Sequence, residues 1–417
     1  MGTYAVMTGS EPKIEREEGE FFKRLSEEMK KGPDAALALI NREISANSSA
    51  AIYFIRGNLN FQKGNLGAAQ RDYRTSLDKF KNFMRAHKNL GMINLRQENF
   101  KQAAQDLGRA IELGDREART YGLLGYCQLQ VGNYLGAENA YRTALMLTPD
   151  NRDWSLGLAQ ALMLSEDYGA AISIMEPIAL SSSNEAQYWL FLVNAYLQKD
   201  QPNTAAEILE FMRHGDLADV DNLILLGNIY TNEQDYTLAL DVFEQVLEQE
   251  KQEVEPSVVL DASNLFVRYG AFDQAASLLQ QIANEFGDIL EQEEKLTLLR
   301  LNAQVANASG ELEKSVAIHE NILEIDPTDG VAMIELARYY ADQEDYARAY
   351  LYLDRAEKLN DHQVGALRLR GQLLVREGRF RDALDPLERA VSLSTNENVN
   401  RRLEDYIAQV RRAAGIN

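Results

Sequence analysis

Ten residues at a near-constant interval carry most of the chemistry this chain offers: Asn58, Met92, Tyr126, Gln160, Asn194, Asn228, Asn264, Gln304, Arg338 and Gln372. Seven of them are carboxamides. A carboxamide donates from its nitrogen and accepts at its oxygen. A row of them can therefore bond the N–H and C=O groups of an extended peptide, whatever its side chains. In the middle of the chain the row has apolar neighbours. Leu156, Leu190, Ile224 and Leu260 precede the amides by four residues; Met163, Leu197, Thr231 and Val267 follow by three. At helical spacing these share a face with the amides or lie beside it. Amides flanked by aliphatic groups make a groove suited to an amphipathic or extended apolar peptide. The competing reading is that the amides only solvate an exposed face while the apolar residues are buried between helices.

Nothing comparable points to catalysis. Of the four histidines (His87, His214, His319 and His362), none pairs with another at helical spacing, and there is no HExxH. His87 and His319 fall where the pattern places packing residues, so both read as satisfied structural histidines. No P-loop, dinucleotide-binding glycine motif or GxSxG elbow occurs. Acidic pairs are common, but on polar helix faces they read as solvated surface. Cys127 is the only cysteine, which excludes an intramolecular disulfide and a cysteine metal cluster. It reads as a small buried hydrophobe. The expectation is a protein with no catalytic residues, no metal and no cofactor.

The formal net charge of −21 repels phosphate backbones and anionic lipid, which argues against nucleic acid as a partner. The charge is uneven: residues 205–256 hold 13 acids and two bases, whereas 363–417 hold ten arginines and seven acids. No run of 18 apolar residues occurs, so membrane insertion is not expected. The first seven residues lack the basic and apolar regions of a signal peptide. The compartment is left open: periplasmic if a native leader was removed, otherwise cytoplasmic.

The elements that must position the amide row are set by small residues. Ala69, Ala103, Ala137, Ala171, Ala205, Ala239, Ala275, Ser315, Ala349 and Ala383 recur mostly every 34 residues. A second small series stands just before the amides: Gly57, Gly91, Gly125, Ala159, Val193, Gly227, Ser263, Ala303, Ala337 and Gly371. These series suit two helices in close approach. Phe100, Tyr134, Tyr168, Tyr236, Phe272, Tyr346 and Phe380 cover the turn between them, and Pro149 and Pro327 end second helices. Steps of 36 and 40 residues into Ser263 and Ala303 predict lengthened second helices or loops near 249–256 and 284–294.

Residues 117–151 show the pattern most clearly, at Tyr121, Leu124, Gly125, Gly132, Tyr134, Ala137, Tyr141, Ala144 and Pro149. This resembles the tetratricopeptide repeat family, whose unit is a 34-residue helix–turn–helix. The resemblance covers about residues 50–395. It implies an all-α, right-handed superhelix (an α-solenoid) of about ten repeats. The expected organisation is a disordered tail over 1–14, an N-terminal helical cap or degenerate repeat over 15–49, ten repeats over 50–395, and a capping helix over 396–417.

The resemblance also places the amide row on the inner, concave surface. It implies a non-catalytic scaffold that binds peptide segments or partner proteins. The peptide-binding residues expected are Asn194, Asn228, Asn264, Gln160, Gln304 and Asn58, with Leu190, Ile224 and Leu197 beside them. Some family members clamp the acidic tails of heat-shock chaperones. Here Asn58, Asn89 and Arg119 match that clamp, but Phe54 and Leu123 stand where it needs bases, so tail capture is not expected. Phe83 to Ile178 is similar to bacterial repeat proteins of envelope energy-transduction or secretion systems, including TonB-type ones. The alternative is self-association through end repeats, with a homodimer formed through the C-terminal ones.

Overall fold

The computed structural model describes residues 11–12, 14, 16–249 and 254–416. The tail expected over 1–14 lies outside these except at 11, 12 and 14. All regular structure among the described residues is helical. The chain divides into two compact halves, Met1–Ile208 and Leu209–Asn417.

In the N-terminal half, α1 (Gly19–Lys31) pairs with α2 (Pro33–Glu43). Four hairpins follow: α3 (Ala50–Gln62) with α4 (Leu66–Lys79), α5 (Met84–Arg96) with α6 (Phe100–Glu112), α7 (Ala118–Gln130) with α8 (Tyr134–Leu147), and α9 (Arg152–Leu164) with α10 (Tyr168–Ser181). α11 (Ala186–Gln198) follows, and α12 (Pro202–His214) carries the boundary between the halves. The C-terminal half continues with α13 (Val220–Asn232) and α14 (Tyr236–Leu247), α15 (Pro256–Tyr269) and α16 (Phe272–Phe286), and α17 (Gln292–Ala308) and α18 (Leu312–Ile325). It ends with α19 (Gly330–Asp342) and α20 (Tyr346–Ala356), α21 (Gln363–Arg376) and α22 (Phe380–Leu393), then α23 (Glu397–Ala413).

Each hairpin turns through one left-handed residue seven positions after its small register residue. Five of the ten are glycines, such as Gly132 (φ 77°), and five are not, such as Glu98 (φ 59°) and Gln234 (φ 65°). Only glycine takes this conformation without a Cβ clash. Several second helices then start on an Asn or Asp cap. Asp167 accepts from Ala170 N at 3.1 Å and Asp345 from Arg348 N at 3.1 Å.

The two small series bring the helices together. Ala69, Ala103, Ala137, Ala171, Ala205, Ala239, Ala275, Ala349 and Ala383 are fully buried. A methyl group at Gly57, Gly125 or Gly227 would lie 2.7, 2.9 or 2.7 Å from the ring of Tyr73, Tyr141 or Phe243. In each case the ring comes from the residue sixteen positions on, in the second helix of the same hairpin. The turn aromatics do join neighbouring hairpins: Phe100 meets Tyr126 edge-on at 5.8 Å, and Tyr236 meets Phe266 at 5.8 Å.

The insertion expected near 284–294 is placed differently from the sequence reading. α16 has 15 residues, but most of the extra length starts α17 a turn early, giving a first helix of 17 residues against the usual 13 or 14. A capping box between Glu291 and Glu294 fixes that start. The insertion near 249–256 falls partly on 250–253, outside the described residues.

Candidate functional site

The amides occupy one position on successive first helices, one residue beyond a buried small residue, and this forces them toward the surface. Gln160 on α9 and Asn194 on α11 are exposed in the N-terminal half, with Leu190 and Leu197 half-buried on α11. In the C-terminal half, Asn228 on α13 and Asn264 on α15 are half-buried, Ile224 is half-buried beside Asn228, and Gln304 on α17 is exposed. Asn58 on α3 differs. Its Oδ1 accepts from the Tyr73 hydroxyl and from Asn89 Nδ2, both at 2.8 Å, so its carbonyl is already engaged. The same bond ties together two of the three residues that match the chaperone-tail clamp.

Part of the expected apolar flank is not available. Thr231 is fully buried and its hydroxyl bonds Gly227 O at 2.8 Å; Leu260 is also buried. Val267 is buried as well. Leu156 and Met163 remain half-exposed.

Around Gln304 the surface deepens into a cleft of about 710 Å³. Val267, Phe272, Ile322 and Ala332 line its apolar part; Arg300, Gln304, Asn307, His319, Glu335 and Arg338 line its polar part. A second lobe of about 240 Å³ shares Asn307, His319, Glu335 and Arg338 and continues to Leu312, Tyr339 and Gln343. Two positions of the expected row, Gln304 and Arg338, thus meet in one cavity of ligand-binding size. The extra turn of α17 contributes there by carrying Glu293, which bonds Arg300 Nη1 at 3.1 Å.

Both guanidinium groups in the cleft are paired with acids. Arg300 Nη2 lies 2.9 Å from Asp329 Oδ2, and Arg338 Nη1 lies 2.9 Å from Glu335 Oε2. Asp329 also caps α19 by accepting from Ala332 N at 2.8 Å. His319, on α18, forms part of the floor of both lobes. It is 6% exposed, and its Nδ1 has no hydrogen-bond partner. Burial pushes its imidazole below the usual range, against a weaker opposing pull from Glu335 and Asp329. The expectation of a satisfied structural histidine therefore fails for His319. For His87 both ring nitrogens do find acceptors, Asp106 Oδ1 at 3.2 Å and Lys81 O at 3.1 Å. No sequence signal separates the two histidines, because a repeat pattern marks a position as buried without saying whether its polar atoms are matched.

Cys127 is fully buried and burial pushes its thiol up to about 11. Among the described residues no cluster of three or more His, Cys, Asp or Glu is placed to hold a metal, and no helix is long and apolar enough to cross a membrane.

Family profiles described as tetratricopeptide repeat match residues 56–120, 128–192, 223–256 and 334–398. A Drosophila melanogaster protein, the BBSome complex member BBS4 homolog, is 25% identical over 361 residues, covering 86% of this chain and 68% of its own. Among solved structures, Naa15/Naa10 bound to HypK-THB is 15% identical with a TM-score of 0.46, covering 91% of this chain and 69% of that one. YrrB, a repeat protein with an unusual peptide-binding site, is 17% identical with a TM-score of 0.38, covering 49% of this chain and 97% of that one.

Proposed function

The chain belongs to the tetratricopeptide repeat family and is a protein–protein interaction scaffold, and from that premise we propose that it works without catalysis by holding extended peptide segments of its partners. The observation that carries this is the cleft on α15–α19. It has ligand-binding dimensions, an apolar part and an exposed amide, Gln304, at the row position. In this reading Gln304 bonds the peptide backbone, and Asn264 and Asn228, with Ile224, extend the row along the preceding first helices. Gln160 and Asn194, flanked by Leu190 and Leu197, offer a corresponding amide face on the N-terminal half, and Asn58 contributes at most its Nδ2. The organisation we propose keeps 15–49 as an N-terminal cap, 50–395 as ten repeats and 396–417 as a closing helix.

A displayed library of random dodecapeptides tests the proposal. The wild-type chain is expected to enrich peptides that bind at least tenfold more weakly to Asn228→Ala/Asn264→Ala/Gln304→Ala, a variant that keeps its helical content. Equal binding to the two proteins would refute the backbone-binding role of the amides.

The finer assignment is an adaptor of a bacterial envelope complex, supported only by the likeness of Phe83 to Ile178 to repeat proteins of that class. Recovery of the native full-length protein solely from cytosol would remove it. Self-association is a second reading, favoured by the contrast between the acidic 205–256 stretch and the arginine-rich 363–417 stretch. Light scattering at low and high salt distinguishes it, since attraction between such stretches weakens as salt rises.

A further inference from the structure

Glu11 is held by Arg85, a residue 74 positions later in the chain. Arg85 Nε donates to Glu11 Oε1 at 2.8 Å and Nη2 to Oε2 at 2.6 Å, the two-pronged grip of a guanidinium on a carboxylate. The guanidinium lies over two rings, 5.3 Å from the centre of Phe54 and 5.9 Å from that of Phe83. Both rings are buried and pack together at 4.5 Å, so the fork has a firm floor. The Glu11 side chain is 15% exposed and Pro12 beside it is half-buried. This stretch of the N-terminal segment is seated on the protein.

Its seat is the face that the amide row marks. Arg85 precedes Met92, the row position of α5, by seven residues, which is two helical turns. Phe54 precedes Asn58, the row position of α3, by four. Charge favours the contact. Residues 51–120 carry 13 Lys and Arg against seven Asp and Glu, in a chain of net charge −21, while 11–20 carry five acids against two bases. The Arg85 side chain is 41% exposed, and ion pairs this open to water contribute little to stability. The pair is therefore a weak staple for the fold and an exchangeable one. It is not the chaperone-tail clamp either: Arg85 is not among the residues that match that clamp, and Glu11 offers a side chain rather than a chain end.

We propose that Arg85, over Phe54 and Phe83, is a docking site for a glutamate within an acidic segment of a partner protein, and that Glu11–Pro12 occupies it in cis as a stand-in. The inference goes beyond the peptide-groove reading above, because Arg85 recognises charge where the amides recognise backbone. A tethered occupant acts at an effective concentration on the order of millimolar. A partner must therefore bring further contacts along the same face to displace it. The N-terminal segment screens out short acidic ligands and yields to a longer one.

The random dodecapeptide library, selected on full-length Glu11→Gln, reads this out. It should enrich peptides that carry glutamate, and changing that glutamate to glutamine should weaken binding roughly tenfold, the lower end for a charge-assisted pair. The same peptides should bind wild type roughly three- to tenfold more weakly, because there Glu11 competes. Arg85→Lys in the Glu11→Gln background keeps the charge but loses the fork, and should weaken them with helical content unchanged. A peptide with the sequence of residues 8–17 should displace them from Glu11→Gln, and its Glu11→Gln form should not. The change made in the peptide tests the contact without altering the protein. Equal binding to wild type and Glu11→Gln, or indifference to Arg85→Lys, would overturn the inference. Peptides that need Asn228, Asn264 and Gln304 but no glutamate would overturn it and leave the amide groove standing. Failure to enrich any peptide would overturn both.

Discussion

A single methyl group at Gly227 tests the packing rule on which the fold depends. The added carbon would lie 2.7 Å from Phe243 Cζ, 2.9 Å from Cε2 and 3.0 Å from Cε1, where ordinary contact begins near 3.4 Å. The ring would have to retreat by about 0.7 Å, from 2.7 to 3.4 Å. Phe243 is fully buried and packs against Phe266 at 6.2 Å between centroids, so little room exists. Overpacking of this kind costs about 1–3 kcal/mol. Alanine recovers about 1 kcal/mol of helix propensity relative to glycine. The net expectation for Gly227→Ala is a loss of about 1 kcal/mol. Gly108, inside α6, is the control, because nothing lies within 4 Å of its added carbon. Gly108→Ala should gain about 0.5–1 kcal/mol from propensity alone. In the native repeats, the six-membered rings at the facing position (Tyr73, Tyr141 and Phe243) all meet glycine, whereas Ala337 meets Leu353. Gly227→Ala/Phe243→Leu copies that last pair, and its cost should be about 1 kcal/mol less than the sum of the single changes. Urea unfolding followed by far-UV circular dichroism measures all four, with slopes compared because stacked repeats can unfold in more than one step. If Gly227→Ala is stabilised as much as Gly108→Ala, steric closeness is not what that glycine provides.

Two further outcomes follow from the buried titratable groups. Burial lowers the His319 pKa, so below about 6.5 the unfolded chain takes up a proton that the folded chain refuses. Stability should therefore fall as pH drops through that region, and urea melts between pH 7.5 and 5.5 should show a shallower fall for His319→Leu; identical slopes would mean His319 is not held neutral. Cys127, with its thiol pushed up to about 11 in a fully buried site, should resist an aromatic disulfide reagent in the folded protein at pH 8 and react in urea. Rapid labelling without denaturant would contradict that burial.

The all-helical hairpin repeat is legible in the residue order alone, because small residues at a 34-residue interval leave no other periodic solution: Ala137 and Gly125 each face a partner that a larger side chain would displace. The residue order also marks the amide position, which is exposed at Gln160, Asn194 and Gln304 and half-buried at Asn228 and Asn264. Half of the hairpin turns were legible, where glycine supplies the left-handed residue as at Gly132. At Glu98 and Gln234 the same backbone is imposed by the helices on either side, and only the tertiary structure reveals it. The cleft was beyond the sequence for a related reason. Its walls come from three repeats, its Arg300–Asp329 pair spans 29 residues, and the unmatched nitrogen of His319 is a property of every neighbour at once. A one-dimensional pattern specifies what each repeat shares, and the three-dimensional arrangement decides where one repeat departs from the rest.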